Sequence, residues 1–161
     1  MNLIYVGSVA NTHGLKGEIR IISQFKFKDS AFRVSNKLYI RGDELTITSY
    51  RKHKEYDMVT FDGFNSIEDV LIYKGESVYV DKDTLEYNGY LKEDLIGLDV
   101  YNKDILMGKV VDVLSTSVQE ILVIENGKKH MVPNVSEFVK KIDLDNNSIY
   151  IEYIKGLVNE D

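Results

Sequence analysis

His13-Gly14-Leu15-Lys16-Gly17-Glu18-Ile19-Arg20 decides how this chain folds. Before it, Leu3 to Val9 is rich in apolar and β-branched residues, the composition of a strand. After it, Glu18, Ile19, Arg20 and Ile21 alternate polar with apolar, so a second strand starts at once. Gly14 and Gly17 bracket the connection and can take positive φ without steric cost. The reading is a β-hairpin whose tip carries one apolar side chain, Leu15, and one cation, Lys16. Loops held on a rigid sheet are common binding sites. A turn with no role beyond reversing the chain is the competing reading.

Strand patterns continue on both sides. Lys37 to Arg41 reads as a strand, Gly42-Asp43 as a hairpin turn, and Glu44 to Tyr50 as its return, with Leu45 and Ile47 on one face and Thr46 and Thr48 on the other. Asp57 to Phe61 is a further strand. Ser66 can cap a short helix, with Asp69 suited to its positive end and Ile67, Val70 and Leu71 on one face; Lys74-Gly75 ends it. Ser77 to Val80 returns to strand. Residues 81–94 are polar and aperiodic. Then come Leu95 to Tyr101, Gly108 to Leu114 and Glu120 to Glu125. Asn126-Gly127 predicts a type I′ hairpin turn into Lys128 to Val132. A helical turn falls within Val135 to Lys141. Ile142-Asp143-Leu144, a turn at Asp145-Asn146-Asn147, and Ser148 to Ile154 close the chain, and the polar Asn159-Glu160-Asp161 is expected to fray. Many short strands with frequent turns predict an all-β protein of two small β-barrels, residues 1–85 and 95–161, joined by a linker at 86–94.

Composition narrows the function classes. The 161-residue chain can bury a real core. It holds no cysteine, so it has no disulfide and no thiolate metal site. The stretch Met1 to Gly7 lacks the features of a signal peptide, and no apolar run approaches the roughly 18 residues of a membrane span. A cytoplasmic monomer away from membranes is expected. Residues 1–85 carry 12 Lys+Arg and 12 Asp+Glu, whereas residues 86–161 carry 8 and 14. All the excess acidity is therefore C-terminal. Phosphate backbones repel such a half. A basic protein would be steered to it, although acidity also serves solubility.

No catalytic constellation stands out. His13, His53 and His130 have no metal-ligand spacing, and Gly108-Lys109 and Gly127-Lys128 lack the upstream glycine of a P-loop. Asp143, Asp145 and Asn147 begin like a calcium loop but lack its central glycine and closing Glu, so they read as a solvated turn. No metal and no cofactor is expected. Binding signals are clearer. Arg51-Lys52-His53-Lys54 is the densest basic run, and Lys16 and Arg20 lie near the Gly-rich loop, making Lys16, Arg20, Arg51, Lys52 and Lys54 candidates for RNA contact. Phe25 and Phe27 interleave with Lys26 and Lys28, either as a stacking platform beside phosphate contacts or as core-facing aromatics with solvated lysines. Tyr87, Tyr90 and Leu91 near the boundary are candidate protein-binding anchors, or else internal packing.

The blocks along the chain also resemble a known family. Gly7 with the His13 to Arg20 run is similar to the N-terminal signature of the ribosome maturation factor RimM family, in which His13, Gly14, Leu15 and Gly17 form the loop motif. Gly63 to Val70 with Lys74-Gly75, Asp94 to Val100, Leu106 to Val110, Val132-Pro133, Phe138-Val139-Lys140 and Ile142-Asp143-Leu144 resemble its later blocks in order. The resemblance implies an N-terminal translation-factor-type barrel and a C-terminal PRC-type barrel. It implies a non-catalytic, chaperone-like factor on the head of the immature small ribosomal subunit that promotes processing of its rRNA. The implied partner is a head ribosomal protein, the nineteenth of the small-subunit set, held by the C-terminal barrel. A tyrosine pair implicated in that contact corresponds to Tyr90 and Leu91, so the second aromatic is replaced here. Thr116-Ser117 and Gln119-Glu120 depart from the family's Thr-Gly and Asn-Asp. Two alternatives remain: an RNA-binding, translation-factor-like module acting through the N-terminal barrel, and an rRNA nuclease.

Overall fold

The computed structural model describes residues 1–152; the expected strand end at Ile154 and the terminus Asn159-Glu160-Asp161 lie outside them. The chain divides into two compact units, Met1–Asn88 and Gly89–Asp161. Among the described residues no helix is long and apolar enough to cross a membrane.

In the first unit six strands close a barrel: β1 (Leu3–His13), β2 (Glu18–Ile22), β3 (Lys37–Ile40), β4 (Asp43–His53), β5 (Tyr56–Phe61) and β6 (Ser77–Asp81), in the order β1-β2-β5-β4-β3-β6. β1 and β4 are each 11 residues long and carry bulges, at Val9/Asn11 and Ile47/Ser49 among others. A bulge bends a long strand and lets it wrap a small barrel. Leu45 and Ile47 point inward and are buried, while Thr48 faces solvent, as the alternation predicts.

Several local expectations shift. The β3–β4 turn is Arg41-Gly42, not Gly42-Asp43, because Asp43 pairs with Ile40. Both turn residues have positive φ, 55° and 82°, the type I′ requirement, met here by an arginine as well as a glycine. Phe25 to Lys28 is not a strand: the chain leaves β2 at Ile22 and turns into a one-turn helix, α1 (Lys28–Ala31). The helix α2 (Ile67–Val70) tightens at once into a 3-10 turn over Leu71–Tyr73. Residues three apart then eclipse, so Val70 and Tyr73 are buried and Leu71 is 49% exposed instead of joining their face.

The second unit opens with α3 (Lys92–Leu95), followed by β7 (Asp99–Asn102), β8 (Ile105–Ser115), β9 (Glu120–Glu125), β10 (Lys129–Pro133), β11 (Val139–Asp143) and β12 (Ser148–Ile151). They form one six-stranded sheet in the order β10-β9-β8-β7-β12-β11, around a core that includes Leu95, Leu98, Val100, Leu122, Ile124 and Ile149. Leu95 ends a helix here and does not start a strand; Gly97, at φ 94°, redirects the chain before β7. The β9–β10 connection is a three-residue loop, Asn126 to Lys128, in which only Gly127 has positive φ, so the hairpin is present without the type I′ geometry. β12 runs parallel to β7. Thr116 closes the β8–β9 loop: its hydroxyl donates to the Gln119 carbonyl and accepts from the Val118 and Gln119 N–H groups.

Candidate functional site

The loop motif is built as a fixed platform. Gly14 and Gly17 have φ of 68° and 89°, and His13 pairs with Glu18 across the turn. A Cβ on Gly17 would overlap the carbonyl oxygen of Phe64, whereas one on Gly14 would meet open space. The Leu15 carbonyl accepts from the Ile67 N–H at 2.9 Å, tying the tip to the start of α2. Leu15 itself is 77% exposed and Lys16 is exposed beside it.

Register assembles a second cluster on the outside of the barrel. Met58 of β5 lies opposite Arg20 of β2 on one side and Arg51 of β4 on the other, and it is fully buried beneath them. Cross-strand neighbours share a face, so the two arginines cover an apolar spot with their stems. Arg51 forms a two-pronged pair with Glu18, at 2.8 and 2.9 Å. That hydrogen bond, reinforced by the charge of Arg51, holds the Glu18 carboxyl below the usual range against the opposing effect of burial. Arg20 donates through Nε and Nη2 to His13 Nδ1, at 3.1 and 2.7 Å, and its guanidinium sits 5.5 Å from the Tyr56 ring centre. The His13 and His53 rings lie 5.5 Å apart. Partial burial pushes the His53 imidazole down from its ordinary value, and the positive charges of Arg51, Lys54 and Arg20 push it further.

Of the five basic residues nominated for RNA, Arg20 and Arg51 therefore meet on this face, and Lys54, at φ 55° in the β4–β5 turn, adjoins it. Lys52 is directed elsewhere. It lies 3.7 Å from the fully buried Asp57, which also takes Lys28 at 2.9 Å and the Tyr50 hydroxyl at 2.6 Å. Burial and the Asp57 carboxylate push the Tyr50 phenol up. Lys16 stays with the β1–β2 turn. Tyr56 carries no signal in the sequence, and His53 stands there only as a member of the basic run, because only the pairing of β4 with β5 brings the two to His13 and Arg20.

The aromatics near the unit boundary part company. Phe25 and Phe27 are half-buried, neither core nor fully exposed; Phe27 stacks on Tyr87 at 4.6 Å, beside a groove of about 400 Å³. Tyr87 is thus packed within the first unit. In the second unit, Leu91 is only 4% exposed, which removes its side chain from any surface contact. Its N–H donates to the Asp94 carboxylate at the start of α3. Tyr90 packs against the edge of the second core and, with Ile142, Asp143, Leu144 and Asp145, lines a surface pocket of about 490 Å³.

Residues 4–85 match the family model of the RimM N-terminal domain, and residues 92–157 match that of the RimM PRC barrel domain. The chain is 34% identical over 165 aligned positions to the ribosome maturation factor RimM of Staphylococcus haemolyticus, covering 97% of this chain and 99% of the relative. It is equally similar, with the same coverage, to the ribosome maturation factor RimM of Staphylococcus aureus strain bovine RF122. The solution structure of the N-terminal domain of RimM from Thermus thermophilus is 19% identical, with a TM-score of 0.47, and the match covers 54% of this chain and 98% of that one. With both domain models matched in order and curated relatives aligned almost end to end, the chain belongs to the RimM family of ribosome maturation factors.

Proposed function

We propose that this chain assists maturation of the small ribosomal subunit by docking a basic head protein, the nineteenth of the small-subunit set, on its acidic C-terminal unit. Efficient processing of small-subunit rRNA then follows from assembly, and this chain itself breaks no bond. It acts by population shift: binding one immature conformation of the head more tightly than its alternatives raises the share of that conformation. Family membership across both units carries the reading. Charge supports it, since the excess of acidic residues lies in residues 86–161, and a basic partner is steered to such a half. Tyr90 supports it at the residue level: it lines a pocket with Asp145, Asn146 and the Lys141–Asp143 ion pair, an arrangement suited to an aromatic anchor with a polar rim.

The test uses the full chain against the purified head protein and against naked small-subunit rRNA, across a salt series. We expect the head protein to bind, and Tyr90→Ala to weaken it about tenfold, the ~1.4 kcal/mol of a moderate anchor. Binding of rRNA with no binding of the protein would replace this reading with an RNA-binding module acting through the first unit. Cleavage of precursor RNA by the chain alone would make it a nuclease.

A further inference from the structure

We propose that the outer-face cluster of His13, Arg20 and His53 binds a phosphodiester group of an RNA backbone. This site belongs to the first unit and stands apart from the protein-docking reading, so either can fail without the other.

Arg20 carries the argument. Its side chain is held by the Nδ1 of His13 and the ring of Tyr56, neither of which is a carboxylate. The other arginine of the face, Arg51, is matched by a carboxylate, because both oxygens of Glu18 accept from it. Arg20 thus keeps its full charge in a fixed position with N–H donors to spare, as recognition of a phosphate requires. Pre-organisation of this kind reduces the entropy lost on binding. His13 accepts through Nδ1, so its ring proton lies on Nε2 and adds a second donor. His53 stands 5.5 Å from His13, and Lys54 follows it in the turn.

The charged and titratable groups at this site are His13 from β1, Glu18 and Arg20 from β2, Tyr56 from β5, Arg51 and His53 from β4, and Lys54 and Glu55 from the exposed turn. Of the two acidic groups, Glu18 is already matched by Arg51, and Glu55 shares its turn with Lys54. Burial first, and then the surrounding cations, lower the His53 imidazole from its ordinary value in the free protein. A bound phosphate offsets those cations and favours the charged imidazole, so RNA binding and proton uptake by His53 reinforce one another.

Fluorescence anisotropy of a labelled single-stranded RNA of about a dozen nucleotides, with the full chain at constant ionic strength, tests the proposal. Affinity should rise about tenfold from about pH 8 to about pH 5.5, one unit of linked shift. His53→Gln should bind equally at both pH values. Arg20→Gln should bind more weakly at both, and should Arg20→Gln unfold, Lys54→Gln at its exposed turn position should show the same direction at smaller size. Retention of the pH dependence in His53→Gln, or undiminished binding by Arg20→Gln, overturns the site. Inorganic phosphate that displaces the RNA at equal phosphate concentration also overturns it, since the face is then a simple anion site.

Discussion

Gly17 and Gly14 sit three residues apart in one turn, and the fold treats them differently. Both have positive φ, so any L-residue is strained at either by about 1 kcal/mol. At Gly17 a side chain must also displace the backbone of Phe64, which lies just before α2. Gly14→Ala is therefore expected to cost about 1 kcal/mol, and Gly17→Ala at least about 2 kcal/mol, in urea unfolding. Equal costs would show that Phe64 gives way freely. Leu91 teaches a related point. A sequence position can match a family motif and still be unavailable at the surface, because burial is set by neighbours that chain order does not reveal.

Single turns of helix depend on their ends. α2 has four residues, and the Asp69 carboxylate accepts from the N–H groups of both Asn65 and Ser66 at 3.1 Å. Without it those donors lose their partner at the junction that also anchors Leu15 of the loop. Asp69→Ala is expected to cost about 1 kcal/mol. Amide hydrogen exchange should quicken at Asn65, Ser66 and Ile67; exchange unchanged at Ile67 would separate the helix start from the loop. At this scale the sequence was readable wherever a signal was local. The alternation along β4, the hairpin at residues 13–18 and the helix start at Ser66 all follow from spacing. The failures have a common cause. A type I′ turn was expected at Asn126-Gly127 and occurs at Arg41-Gly42 instead, because strand register selects loop length and overrides the preferences of the turn residues. Leu71 leaves its predicted face because the helix tightens after Val70, a change of period that sequence spacing does not report.

Each unit has its own set of buried apolar side chains: the interior of the closed barrel for Met1–Asn88, and the cluster around Val100, Leu122 and Ile149 for Gly89–Asp161. Such sets are what independent folding requires. Fragments divided after Asn88 are expected to unfold cooperatively on their own, each with a denaturant midpoint that the full chain reproduces as a separate phase. A single concerted transition for the whole chain, with unfolded fragments, would show that neither core suffices alone.

The sequence by itself determined the class of this protein. Strand periodicity, the glycine-bracketed hairpin, the C-terminal acidity and the ordered family blocks specify an all-β chain in two parts and its family, because all of these are carried by residues near one another in the chain. Only the tertiary structure decided the site. It separated Lys52 from Arg51 by turning alternate residues of β4 to opposite faces, buried Leu91, and brought His53 and Tyr56 to His13 and Arg20. Those outcomes depend on which strand lies beside which and in what register, and register is set by the packing of the whole barrel.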